Sequence, residues 1–156
     1  MLFLDPTARE LIVAHALGGF PDETCGFLVG EVGAGTDELG LPIATARAFV
    51  PARNLRESSR TYEIGIDGWN AADRVNDEHG WLTVGVAHSH THSEAWPSPT
   101  DVDDADNPML DPGWHYVIVS LRDATPVVRS FLLADRTIRE EQVVAAAGRA
   151  KARAAS

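Results

Sequence analysis

The chain has 156 residues, 44% of them hydrophobic and 23% charged, a composition that supports one buried core and argues against a disordered chain. Thirteen basic against twenty-three acidic side chains give a net charge of -10, which speaks against electrostatically driven binding to nucleic acid or to an anionic membrane. Cys25 is the single cysteine, so an intrachain disulfide and a four-cysteine zinc site are both excluded. The opening "MLFLDPTARE" lacks a basic n-region, and no apolar run approaches the roughly 18 residues of a membrane span. The expected compartment is the cytoplasm.

Asp5-Pro6 is a helix start, with Asp as the N-cap and Pro at the first helical position. Ala8, Leu11, Ile12 and His15 then follow helical spacing to the Gly18-Gly19 stop. "TCGFLVGEV" and "LPIATARAFV" read as a hairpin around the turn "GAGTDELG". "PARNLRESSR" is a polar loop, followed by a short strand "TYEIG" and a helix from Gly68 to His79 that ends at Gly80. "WLTVGVAHSH" is the next strand, and "HYVIVSL" and "VVRSFLLAD" are two more, joined by "RDATP". "TIREEQVV" adds an edge strand or a short terminal segment. The element order predicts one α+β domain, a mixed sheet with helices packed on it, over residues 1–140, with an Ala-rich tail over 141–156.

Alternation along "WLTVGVAHSH" places Leu82, Val84, Val86, His88 and His90 on one face of the strand. The row ends in two imidazoles, and such a pair can chelate one metal ion. By itself the pattern is also that of polar residues reaching solvent at a strand end. Asp101, in "SPTD", offers a third ligand, while Ser98, Pro99 and Asp101 together also read as the capping-box start of a helix. Both roles are compatible. A site with two histidines and one aspartate keeps a fourth position open, as hydrolytic metal centres do, and it needs a proton acceptor, for which Glu23 and Glu94 are the candidates. His92 is placed at the rim, His15 as a packed histidine, Cys25 in the core, and "DVDDAD" on a solvated helix start.

"HSHTHSEAWPSPTD" together with "DETCGFLVG" resembles the JAMM (MPN+) metalloproteases, whose signature is His-x-His, seven residues, Ser, two residues, Asp, with a glutamate upstream. The resemblance runs from the first helix to "FLLAD". It implies a cytidine-deaminase-like curved mixed sheet flanked by helices, zinc held by His88, His90 and Asp101, Glu23 as general base and Ser98 as an oxyanion donor. Thr91 departs from the proline usual after the second histidine, which bears on loop shape and on no ligand. Within the family the chain is similar to bacterial peptidases that release cysteine from the C-terminal glycine of a ThiS/MoaD-type sulfur carrier. That implies a ubiquitin-like carrier as substrate, whose thin Gly-Gly tail is added beside a sheet edge, with homodimerisation left open. The alternatives are a non-catalytic MPN binding module and a JAMM peptidase acting on cell-wall or ubiquitin-like substrates. The identity of the carrier and the residue released are not legible in the sequence.

Overall fold

The computed structural model describes residues 1–148 and builds them around one eight-stranded mixed sheet. In chain order its elements are β1 (Leu2–Leu4), α1 (Pro6–Gly19), β2 (Cys25–Thr36), β3 (Pro42–Ala52), α2 (Ile66–His79), β4 (Leu82–His90), α3 (Pro99–Ala105), β5 (His115–Ser120), β6 (Val127–Leu132), β7 (Arg139–Glu141) and β8 (Val143–Ala145). The strand order across the sheet is β7-β6-β5-β4-β2-β3-β1-β8. β4 and β5 run parallel, as do β1 and its neighbours β3 and β8, while the remaining pairs are antiparallel. The edges are thus β7 and β8, and neither borders β4.

Each face of the sheet carries its own core. On one, α1 packs Ala8, Ile12 and Ala16 against Leu2, Leu4, Leu28, Ala46, Val84 and Val119. On the other, α2 lays Ala72 and the half-buried Trp69 and Val75 against Phe27, Val29, Val86, Ile118 and Phe131. This is the helix–sheet–helix layering that the resemblance implied. The N-cap of α1 is as read: the Asp5 carboxylate accepts from the Thr7 and Ala8 amides at 2.8 and 3.1 Å. Its buried stripe is 8/12/16, however, and Leu11 faces solvent at 51% exposure.

Four local readings change. β1 is a three-residue strand, too short to show alternation. "TYEIG" is not a strand: only Ile64 makes an isolated bridge, to Asn54. α2 begins at Ile66, two residues before Gly68, with Gly65 as a cap lacking any side-chain bond, and it stops as read at Gly80 in the left-handed conformation (φ 67°). "TIREEQVV" supplies edge strands as read, β7 and most of β8, so that residues 143–145, which the domain boundary at 140 put in the tail, pair with β1, and residues 149–156 lie outside the described residues.

The change that matters for the site is a β-bulge in β4. Leu28 and Val29 are consecutive on β2, yet their partners on β4 are Gly85 and Thr83, so Val84 is an extra residue. A bulge shifts side-chain parity by one. Val84 therefore joins the α1 core while Val86 joins the α2 core, and the predicted single row from Leu82 to His90 is broken at this point. His88 and His90 keep the face of Val86. Next to the bulge, Gly85 lies so close to β5 that a Cβ there would meet the His115 carbonyl oxygen at 1.9 Å.

Candidate active site

The C-terminal end of β4, the segment before β2 and the start of α3 converge on one buried point. His88 pairs with Cys25 across the β4–β2 ladder, and the Ser89 amide donates to the Thr24 carbonyl at 3.0 Å. The Ser89 hydroxyl accepts from the Thr24 amide at 2.8 Å, which extends the β2 chain beyond the strand proper and carries Glu23 alongside His90. On the other side α3 opens with a complete capping box. Ser98 Oγ accepts from the Asp101 amide at 3.1 Å and the Asp101 carboxylate accepts from the Ser98 amide at 2.9 Å. The box locks the Asp101 rotamer and holds its carboxylate beside both histidines.

The four side chains meet closely. His88 Nε2 and His90 Nε2 are 3.1 Å apart, His90 Nε2 is 3.0 Å from Asp101 Oδ2, and His88 Nε2 is 3.3 Å from Asp101 Oδ1. Glu23, His88 and His90 each present one ligand atom, all within 4.8 Å of one another. All four residues are buried. His90 Nδ1 lies 2.8 Å from the Glu94 carbonyl, which can only accept, so Nδ1 carries the proton and a neutral His90 has only a lone pair at Nε2. That lone pair faces a carboxylate oxygen and a second imidazole nitrogen. Such a confrontation requires a cation or an added proton between the groups. Two nitrogens and an oxygen bound tetrahedrally at about 2.0–2.1 Å would stand about 3.3 Å apart, so the donor set fits a small divalent ion.

The electrostatics follow from burial and these contacts. Burial raises the Glu23 carboxyl above its ordinary range, against the opposing pull of His88 and His90. For Asp101 burial also acts upward, but His88, His90 and the Ser98 amide outweigh it and hold the carboxylate below its usual range. Burial lowers His90, and the Asp101 hydrogen bond and charge more than offset this and raise it. Glu23 Oε1 is buried with no hydrogen-bond partner among the described residues.

Several residues around the cluster escaped the sequence reading. Asn54 donates from Nδ2 to the Glu23 and Thr61 carbonyls at 3.0 and 2.9 Å, and its Oδ1 accepts from the Arg56 and Glu63 amides at 3.0 and 3.1 Å. One buried amide thus ties the loop 54–63 to the backbone of Glu23. Tyr62 stacks on His88 with ring centroids 4.5 Å apart. A polar loop gives no periodicity from which either contact could be read. Glu94 is exposed and takes part through its backbone alone. His92 is exposed at the rim against Phe20, and His15 is packed, its Nε2 3.1 Å from the Cys25 carbonyl. Cys25 is fully buried, its thiol pushed up to about 12 by burial and by Glu23. In "DVDDAD", Asp103 and Asp106 pair with Arg136 at the surface.

A mixed sheet between helices, with His-x-His closing a central strand, a helix-start aspartate and a buried glutamate facing the pair, defines a hydrolase of JAMM type. Residues 6–134 match the prokaryotic homologs of the JAB domain, and the chain belongs to that family. It is 35% identical over 133 residues to the CysO-cysteine peptidase of Mycobacterium tuberculosis H37Rv, covering 85% of this chain and 82% of that protein. It is 31% identical over 123 residues to the desampylase of Haloferax volcanii, covering 76% and 80%. Among solved structures, a Salinibacter ruber protein matches with TM-score 0.66 and 37% identity over 95% of this chain and 94% of that one. A Desulfitobacterium hafniense protein gives 0.76 and 28% over 94% and 93%. A JAB1/MPN domain protein of Archaeoglobus fulgidus, at 0.54 and 14% over 94% and 98%, bears on the fold alone. No helix among the described residues is long and apolar enough to cross a membrane.

Proposed function

We propose that the protein is a zinc peptidase that hydrolyses the bond after the C-terminal Gly-Gly of a ThiS/MoaD-type sulfur carrier, releasing cysteine or a short cysteine-containing extension. The observation that carries the chemistry is the convergence of His88, His90 and Asp101 at 3.0–3.3 Å with Glu23 beside them. The similarity to a CysO-cysteine peptidase over 85% of the chain supports the substrate class. His88, His90 and Asp101 would hold the zinc. When bound, zinc supplies a Lewis acid that polarises a carbonyl and lowers the pKa of water towards about 7.

The chain's own residues do the remaining work. Glu23 takes a proton from the attacking water at its carboxylate and hands it to the departing amine, a task suited to a carboxyl raised by burial. The Ser98 hydroxyl, whose oxygen already accepts from Asp101 N–H, keeps its own proton to donate to the developing oxyanion. The Glu94 carbonyl fixes the His90 tautomer, and the Tyr62 ring fixes the plane of His88. Glycine suits the scissile position because a tail without Cβ atoms approaches a buried cluster closely.

The test is intact-mass spectrometry of a ThiS/MoaD-type carrier ending in Gly-Gly-Cys, before and after incubation with the zinc-loaded protein. Loss of one cysteine residue is expected, and valine at the scissile glycine should suppress it. Unchanged mass for every Gly-Gly-extended carrier would refute the substrate class while leaving the metal site standing.

A further inference from the structure

On the α2 face of the sheet an open cavity of about 230 Å³ lies between α2, α3 and the loop after β3. It begins at the candidate site itself. Tyr62, which stacks on His88 at 4.5 Å, lines it, as do Val86, two residues before His88 on the same face of β4, and Asp104, three residues after Asp101 on α3. Phe27, Trp69 and Trp114 form its aromatic wall and pack on one another at centroid distances of 4.6–6.1 Å, so the wall is set before anything binds. The charged lining is Arg56, Glu63 and Asp104, all exposed and hence at the mouth, with Arg56 Nε 3.5 Å from Glu63. Two carboxylates repel an acidic guest, a basic one meets Arg56, and either would give up water to enter aromatic walls.

Chain geometry says what reaches this cavity. In hydrolysis Glu23 hands its proton to the departing nitrogen, so the leaving side of the substrate lies towards Glu23 and the acyl side of an extended tail runs the other way. No residue of the 19–24 segment lines the cavity. The last two residues of the tail are glycines, so the first to carry a side chain stands two residues from the scissile carbonyl. That is roughly 6.5–7 Å along an extended chain, the spacing that also separates Val86 from His88. At about 30 Å³ per water the cavity holds roughly eight waters, the size of one phenylalanine side chain.

We infer that this cavity receives the side chain of the carrier residue immediately before Gly-Gly, and that it selects a large apolar or aromatic group there. The inference rests on the peptidase reading above and adds to it a requirement upstream of the glycines.

Binding and turnover test it separately. The zinc-loaded protein is titrated with the tripeptides Phe-Gly-Gly, Ala-Gly-Gly, Glu-Gly-Gly and Lys-Gly-Gly while the tryptophan indole resonances are followed by NMR. Phe-Gly-Gly should bind roughly 10- to 100-fold more tightly than the other three and shift the Trp69 and Trp114 signals. Ala105→Leu adds volume to the α3 wall and should remove that preference, and Ile64→Trp should do the same from the loop wall, each variant being checked for a native unfolding transition. Comparable or undetectable binding of all four peptides, shifts confined to other residues, or a preference that survives in a folded variant overturns the pocket. Binding of the lysine or glutamate peptide as tight as that of Phe-Gly-Gly overturns its apolar selectivity. The second measurement compares kcat/KM for carriers ending in Phe-Gly-Gly-Cys and Ala-Gly-Gly-Cys, with the first favoured by the same factor. Equal rates refute the inference with the peptidase reading intact, whereas no cleavage of either carrier alongside phenylalanine-selective binding refutes the peptidase reading alone.

Discussion

Replacing Asn54 should damage both stability and turnover although it is not one of the clustered side chains of the candidate site. Its side chain makes four hydrogen bonds of 2.9–3.1 Å, and the one to the Glu23 carbonyl is buried. At about 1 kcal/mol net for each bond, with the buried carbonyl left without a partner and water recovering part of the rest, Asn54→Ala should cost about 2–4 kcal/mol. For a chain of this length that is a fall in Tm of roughly 5–15 °C. Asn54→Asp distinguishes a hydrogen-bond clamp from mere space filling. The two side chains have nearly the same shape, but the carboxylate would turn an acceptor towards the Glu23 and Thr61 carbonyls where Nδ2 now donates. Asn54→Asp should therefore be no better than Asn54→Ala in thermal unfolding, and the Glu23-dependent step should slow in both. An aspartate variant with wild-type Tm and wild-type kcat would refute the clamp.

Glu23→Gln should keep the metal and the fold and lose about 10²- to 10⁴-fold in kcat, because shape is preserved and the proton carrier is lost. Activity near wild type would move the base elsewhere. His88→Ala and Asp101→Ala should each lose bound zinc after mild dialysis, and full metal content by atomic emission in either would overturn the ligand set. Ser98→Ala should cost about 1 kcal/mol through the lost cap of α3. It should lower kcat further than that loss explains, and a parallel fall in Tm and rate would reduce Ser98 to a cap. Cys25 should resist iodoacetamide in the native protein at pH 8 and react on unfolding, since a thiol pushed up to about 12 is about 10⁻⁴ thiolate there. Rapid native labelling would contradict its burial.

How much of this was legible in the sequence depends on the range over which each signal acts. The site's residue types sit in one fourteen-residue run plus Glu23, and capping chemistry alone foretold that Asp101 would be held rigidly at a helix start, as the Ser98–Asp101 box is. Long elements with a clear period, α1, α2 and β4–β6, were readable for the same local reason. What failed was non-local. Leu11 fits the helical spacing as well as Ala16 does, and only the position of the sheet decides that the 8/12/16 stripe is buried. Asn54 sits in a polar loop, and its importance comes from Glu23, 31 residues earlier in the chain.

The bulge at Val84 shows how a correct local conclusion can rest on an incorrect row. His88 and His90 share a face because they are two residues apart beyond the bulge, so their convergence is independent of what happens at residues 82–84. Which core that face belongs to is not independent. One extra residue turns Val84 towards α1 and leaves Val86, and with it both histidines, on the side of α2, Tyr62 and the α3 start. Without it, the parity that puts Thr83 on the α2 side would put Gly85, Ala87 and Ser89 there too, and the imidazoles would point to the α1 face, away from Asp101. The close approach of Gly85 to His115 lies beside this same irregularity, so the bulge, more than the His-x-His spacing, brings the two histidines on β4 to Asp101 on α3.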